Sequence, residues 1–117
     1  MSRHSAREKS VMLLYQLEVR DGDVRKIKDI FLSQYPIENE DDLEYFHYLV
    51  DGVIAKKELL DDIIGKYLRG WTLDRQSLLD LAILRIAVLE FLFDTRVPAD
   101  IAISEAVILA NRYGDEN

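Results

Sequence analysis

The stretch from Leu78 to Phe93 constrains this chain most. It reads Leu-Leu-Asp-Leu-Ala-Ile-Leu-Arg-Ile-Ala-Val-Leu-Glu-Phe-Leu-Phe, with only Asp80, Arg85 and Glu90 interrupting the apolar residues. At about 100° per residue the three charges point in different directions, so a helix built here has no continuously polar face and must be buried nearly all round. The run is too long and too rich in Leu and Ala for a strand. It is also too short and too charged to span a bilayer. The expectation is the central helix of a helical bundle, with the remaining segments packed around it.

A chain of 117 residues, 49% of them hydrophobic, can bury a single core of that kind. There is no cysteine, which excludes a disulfide framework and thiolate metal sites and is compatible with a reducing compartment. The basic start leads into an amphipathic run that contains Tyr15 and Gln16 and lacks a small-residue cleavage site, a poor secretory signal, so the expected location is cytoplasmic with no membrane association. A net charge of -7 argues against gripping nucleic acid by bulk electrostatics alone and favours a basic partner.

The first helix is expected from Ser2 to Arg20, capped by Ser2 or Ser5. Ala6, Ser10, Leu13, Leu14 and Leu17 form its core stripe, and Met12, Tyr15 and Val19 a second apolar stripe nearly opposite. That second stripe is either sandwiched by neighbours or left as a contact surface. Asp21-Gly22-Asp23 is a turn, with Asp23 capping a second helix that places Val24, Ile27, Ile30, Phe31 and Tyr35 at helical spacing before Pro36 ends it. Asn39 is the next cap, ahead of Leu43, Phe46, Val50, Val53 and Ile54. The acids between Glu38 and Asp51 read as a solvated, dipole-favoured helix start or as a docking face for something basic.

Beyond Ala55-Lys56-Lys57, the residues Leu59, Leu60, Ile63, Ile64, Tyr67 and Leu68 make a fourth helix or a bent continuation of the third. Gly70 stops it, Trp71 anchors between layers, and Thr72 or Asp74 caps the central helix. Pro98 opens a last helix carrying Ile103, Ala106, Val107 and Ala110, and Gly114 follows its end. The fold class is therefore all-α: a single domain over 1–117, a compact bundle of about six helices in two small three-helix groups, 1–55 and 56–117.

Signals for catalysis are weak. Glu44-x-x-His47 has the spacing of carboxylate-bridged di-iron bundles, but those need the motif on two helices and two more glutamates, and the second histidine is His4 at the N-terminus. Asp41-Asp42 and Asp61-Asp62 are adjacent pairs, which diverge on a helix and make poor shared acid/base sites. Phosphate loops, nucleophile elbows and dinucleotide fingerprints are absent from the sequence. A binding or scaffold protein without cofactor or metal is the better class, and not an enzyme.

Several motifs resemble a known family. Leu79-Asp80-x-x-Ile83-Leu84-Arg85-Ile86-Ala87-x-x-Glu90-x-Leu92-Phe93, then Val97-Pro98-x-x-Ile101-Ala102-Ile103-x-Glu105-Ala106, then Ala110-x-x-Tyr113-Gly114-x-Glu116-Asn117 are similar to the NusB family of transcription antitermination factors. Ala6-Arg7-Glu8 with Leu14-Tyr15-Gln16, and Leu68-x-x-Trp71-x-Leu73-x-Arg75, are similar too, so the resemblance covers essentially the whole chain in order. It implies an all-helical, non-enzymatic protein that pairs with NusE, a small-subunit ribosomal protein, and binds the boxA element of nascent RNA. With other Nus factors such a protein keeps RNA polymerase from terminating early, notably on ribosomal RNA operons.

By that resemblance Arg3, His4, Ser5 and Arg7 match the family's arginine-rich start, Tyr15 matches a tyrosine of the RNA-contacting surface, and Asp80 matches an acid of the surface that meets NusE. A tyrosine can stack on an unpaired base while arginines hold phosphates. Asp80 on an apolar helix needs water or a basic partner, whether NusE or a lysine or arginine of the chain itself. The family's usual start is several consecutive arginines; here His4 and Ser5 stand among them, which implies weak RNA affinity without NusE. The resemblance also implies a further amphipathic helix after Asn117, whose absence would leave a groove for self-association or a partner. Two other readings are a protein-only scaffold, such as a homodimer through Met12, Tyr15 and Val19, and a detached targeting module like the helical domain preceding some RNA methyltransferases.

Overall fold

A computed structural model describes residues 3–67 and 76–93, which form four helices: α1 (Arg3–Val19), α2 (Val24–Gln34), α3 (Glu40–Tyr67) and α4 (Leu78–Phe93). Two differences account for the expected count of about six. The third and fourth expected helices are one, because the backbone between them departs from helical geometry only at Lys56 (φ -114°, ψ 20°) and bends there without breaking. The last expected helix, with Pro98 and Gly114, lies outside the described residues, as do Trp71, Thr72 and Asp74.

Local chemistry sets the boundaries. Asp23 caps α2, its carboxylate accepting from the Arg25 N–H at 2.9 Å, and Gly22 before it adopts φ 136°, which a residue with a Cβ rarely takes. Tyr35 closes α2 outside helical geometry (φ -129°, ψ 74°), and the following Pro36 disfavours the α region for its neighbour. Asn39 caps α3 through the Asp42 N–H at 3.0 Å, and Glu40, Asp41 and Asp42 fill the first turn, where the helix dipole favours acids. The cap of α4 is Ser77, whose hydroxyl accepts from the Asp80 N–H at 3.0 Å; this replaces the expected Thr72 or Asp74. Ser5 lies inside α1 and so is not its cap.

One cluster of buried side chains runs through all four helices, from Ala6, Val11, Leu13 and Leu14 through Ile27 and Phe31 to Phe46, Leu49, Val50, Val53 and Leu60, and on to Ala82, Ile83, Ile86 and Leu89. It passes the Lys56 bend without interruption, since Val53 and Leu60 both belong to it. Helix α4 is its centre, buried on nearly every side between Leu81 and Glu90, as its lack of a polar face requires. Where α3 and α4 meet, Gly52 lets them close: a Cβ there would stand 2.9 Å from the Leu89 side chain. No helix among the described residues is long and apolar enough to cross a membrane.

Candidate nucleic-acid interface

The charges of α4 divide into three environments. Glu90 is 1% exposed and accepts at both oxygens from Arg7 Nε on α1, at 2.9 Å each, and from the Tyr45 hydroxyl on α3. Arg85 grips Asp61 of α3 with Nε and Nη2 at 2.7 and 2.9 Å, and its Nη1 lies 3.6 Å from Glu18 of α1. Glu18 in turn accepts from Lys57 Nζ at 2.7 Å. Asp80 lies in the first turn, where the dipole favours a carboxylate, and no described residue forms an ion pair with it. Among the described residues, internal ion pairing on α4 is found at Arg85 and Glu90.

These contacts fix the directions of the helices. Arg7 meets Glu90 and Glu18 meets Arg85, so α4 runs against α1; Arg7 reaches the Glu90–Tyr45 pair and Glu18 reaches Lys57, so the first half of α3 runs with α1. The basic start of α1 consequently lies beside the end of α4. Asp80 lies about 15 Å along the α4 axis from Glu90, at the opposite end.

The residues of the basic start do not act alike. Arg3 is half-buried, with its guanidinium carbon 4.1 Å from the centroid of the Tyr45 ring. His4 and Ser5 are half-buried. Tyr15 is 40% exposed and Val19 51%, while Met12 is partly buried against the core, so the second stripe of α1 is a surface from Tyr15 onward and not sandwiched. His4 and Tyr15, eleven residues apart, return to within about 20° of one another around the helix. Arg3 and Tyr15 are separated by about 18 Å along the axis.

Arg7 departs from the expected role. It is 5% exposed and commits its Nε to Glu90, so a phosphate contact would require breaking a buried ion pair. Its place is under the surface, joining α1 to α4. Glu90 and Tyr45 were missed by sequence reasoning, although the signal was there: a charge on a helix with no polar face must have a partner, and the argument applied to Asp80 holds equally for Glu90.

Around Glu44 and His47, as elsewhere among the described residues, there is no group of three or more acids and histidines that could hold a metal ion. Burial pushes the His47 imidazole below its ordinary value, Lys28 adds to the effect, and Asp51 opposes it. Lys28 and Asp51 themselves pair at 2.9 Å between α2 and α3.

The profile of the NusB family matches residues 4–117. The chain belongs to the NusB family. The transcription antitermination protein NusB of Acetivibrio thermocellus is 40% identical over 116 residues, covering 99% of this chain and 79% of the relative. That of Ruminiclostridium cellulolyticum is 38% identical over 117 residues, covering 100% and 80%. Among solved structures, T. maritima NusB superposes with a TM-score of 0.86 at 32% identity, over 100% of this chain and 82% of that one. A chain of the crystal structure of the antitermination factors NusB and NusE in complex with double-stranded RNA gives 0.83 at 28% identity, over 99% and 87%. NusB proteins are transcription antitermination factors, not enzymes.

Proposed function

We propose that this NusB-family chain is an RNA-binding antitermination subunit that pairs with NusE, binds boxA RNA and, together with other Nus factors, keeps RNA polymerase from terminating early on ribosomal RNA operons. The observation that carries the reading is Tyr15, an aromatic 40% exposed on the same side of α1 as His4, with Arg3 in the helix's first turn. Such a face suits an unpaired base stacked on the Tyr15 ring, with a phosphate further along the strand held by Arg3 at the start of the helix. Asp80 serves as the NusE contact: it is an acid without an ion-pair partner among the described residues, at the far end of α4 from the basic start. The net charge of -7 makes a cationic companion the natural means of bringing RNA to the surface.

Fluorescence titration of a boxA oligonucleotide, with a scrambled single strand and a duplex as competitors, tests the reading with and without NusE. The expected result is tight, sequence-selective binding that requires NusE. Equal weak binding under both conditions, indifferent to RNA sequence, would overturn it. The exposed pair Tyr15 and Val19 favours a second reading, a homodimer through this face; concentration-dependent mass in light scattering, abolished by Tyr15→Asp, would support that instead.

A further inference from the structure

We infer that Tyr45 is a positioning residue for the RNA-contacting end of α1: its buried ring is a fixed seat that holds the Arg3 guanidinium in place for a phosphate. The inference rests on the RNA-binding reading above and adds to it a residue that never meets RNA. Tyr45 is 6% exposed, and its hydroxyl donates to Glu90, whose carboxylate is itself held by Arg7. The phenol is thus fixed at its far end by an ion pair inside the core, and the Arg3 guanidinium lies over its face at 4.1 Å.

That arrangement suits the chemistry of an arginine. A guanidinium stacks through its flat face and donates through its edge, so the same group can rest on an aromatic ring and still hold a phosphate. Arg3 opens α1, in a first turn where helices fray and a long side chain has most freedom to lose. A rigid ring beneath it removes that freedom before RNA arrives, and the binding energy is not spent on ordering. Lysine cannot use the seat in the same way, because its ammonium is a point charge on a flexible stem.

The test measures boxA affinity of the NusE-paired protein for Arg3→Ala, Tyr45→Leu, their combination, Tyr45→Phe and Arg3→Lys, with helicity and NusE affinity read in parallel. Arg3→Ala and Tyr45→Leu should each weaken RNA binding by about two- to fivefold, and the combination should be no weaker than Arg3→Ala alone. Arg3→Ala should lower the slope of log K against log salt by about 0.7, one phosphate contact to a single strand. Tyr45→Phe keeps the ring, so it should retain RNA affinity within about twofold while lowering the unfolding midpoint. Arg3→Lys, a change at the surface end of a helix that leaves the core intact, should lose about twofold with the salt slope unchanged. NusE affinity should be unaffected throughout.

Losses that multiply in the double variant, a Tyr45→Leu protein that folds and binds RNA like the parent, or Arg3→Lys equal to the parent would overturn the inference while leaving the RNA reading intact. Arg3→Ala with unchanged RNA affinity would remove the RNA role of Arg3 itself, and the inference with it.

Discussion

Glu90 is a carboxylate in the middle of a greasy rod, and it is tolerated only because three donor contacts from two other helices reach it. Taking away one side of a buried ion pair leaves the other charge stranded, which typically costs about 3–5 kcal/mol. Glu90→Ala should therefore lower stability by about that amount in urea denaturation. Replacing the group together, Arg7→Met with Tyr45→Phe and Glu90→Leu, should recover most of the loss, since the charges that neutralise one another are then removed together. His47 gives a milder effect with a definite sign. The folded chain holds its imidazole below 6.5, chiefly through burial, so the unfolded chain takes up the proton first as the pH falls. The neutral ring's stabilising contribution is complete above the unfolded value and is lost as the pH drops toward the folded one. Urea midpoints between about pH 7.5 and 5.5 should decline less in His47→Gln than in the parent; identical declines would exclude His47 as a source. Residue by residue, helical spacing set Tyr15 on a second stripe away from the core, and it is exposed, whereas Arg3 was singled out by resemblance alone. The sequence did not reveal that Arg7 lies inside, because the turn-to-turn spacing of Arg3 and Arg7 says nothing of what stands opposite each on other helices.

At the scale of elements, caps and stops were legible because they are local. Asp23, Asn39 and the Pro36 stop follow from the residue and its immediate neighbours, and so does the span of α4. The continuity of α3 was less legible: Ala55-Lys56-Lys57 contains no helix breaker, and only the packing of both halves on one core decides between a bend and a break. Close approach is also a property of pairs of elements. Gly52→Ala puts a methyl 2.9 Å from Leu89. Overpacking of about 1–3 kcal/mol should exceed the ~1 kcal/mol that alanine gains as a helix former, so this variant should unfold at lower urea. Gly65, with nothing within 4 Å of its would-be Cβ, is the control: Gly65→Ala should stabilise by about 0.5–1 kcal/mol. Matching shifts at the two glycines would show that the α3–α4 contact is looser than described.

Over the whole molecule, the opposed course of α1 and α4 sets the basic start and Asp80 at opposite ends of α4. Two surfaces so placed should fail independently. Asp80→Arg should impair NusE pairing by pull-down while leaving the isolated chain folded, and Tyr15→Asp should weaken RNA binding by the NusE-paired protein without disturbing that pairing. If either substitution abolishes both activities in a folded protein, the two faces are not separate. The all-helical class followed from hydrophobic periodicity, and the two faces were expected from resemblance. What ties them to one frame is the set of buried charges on α4, which no pattern within a single segment displays.

The Arg7–Glu90–Tyr45 cluster bears on how loss-of-function variants of such a protein would be sorted. A genetic screen scoring only terminator read-through would return core positions beside surface ones. Glu90 and Tyr45 would rank with Tyr15 although both are buried and Tyr15 is exposed. Measuring soluble yield and folded-state affinity for each hit would separate them: Glu90→Ala should fall chiefly in yield, Tyr15→Asp chiefly in affinity, and Tyr45→Leu in both.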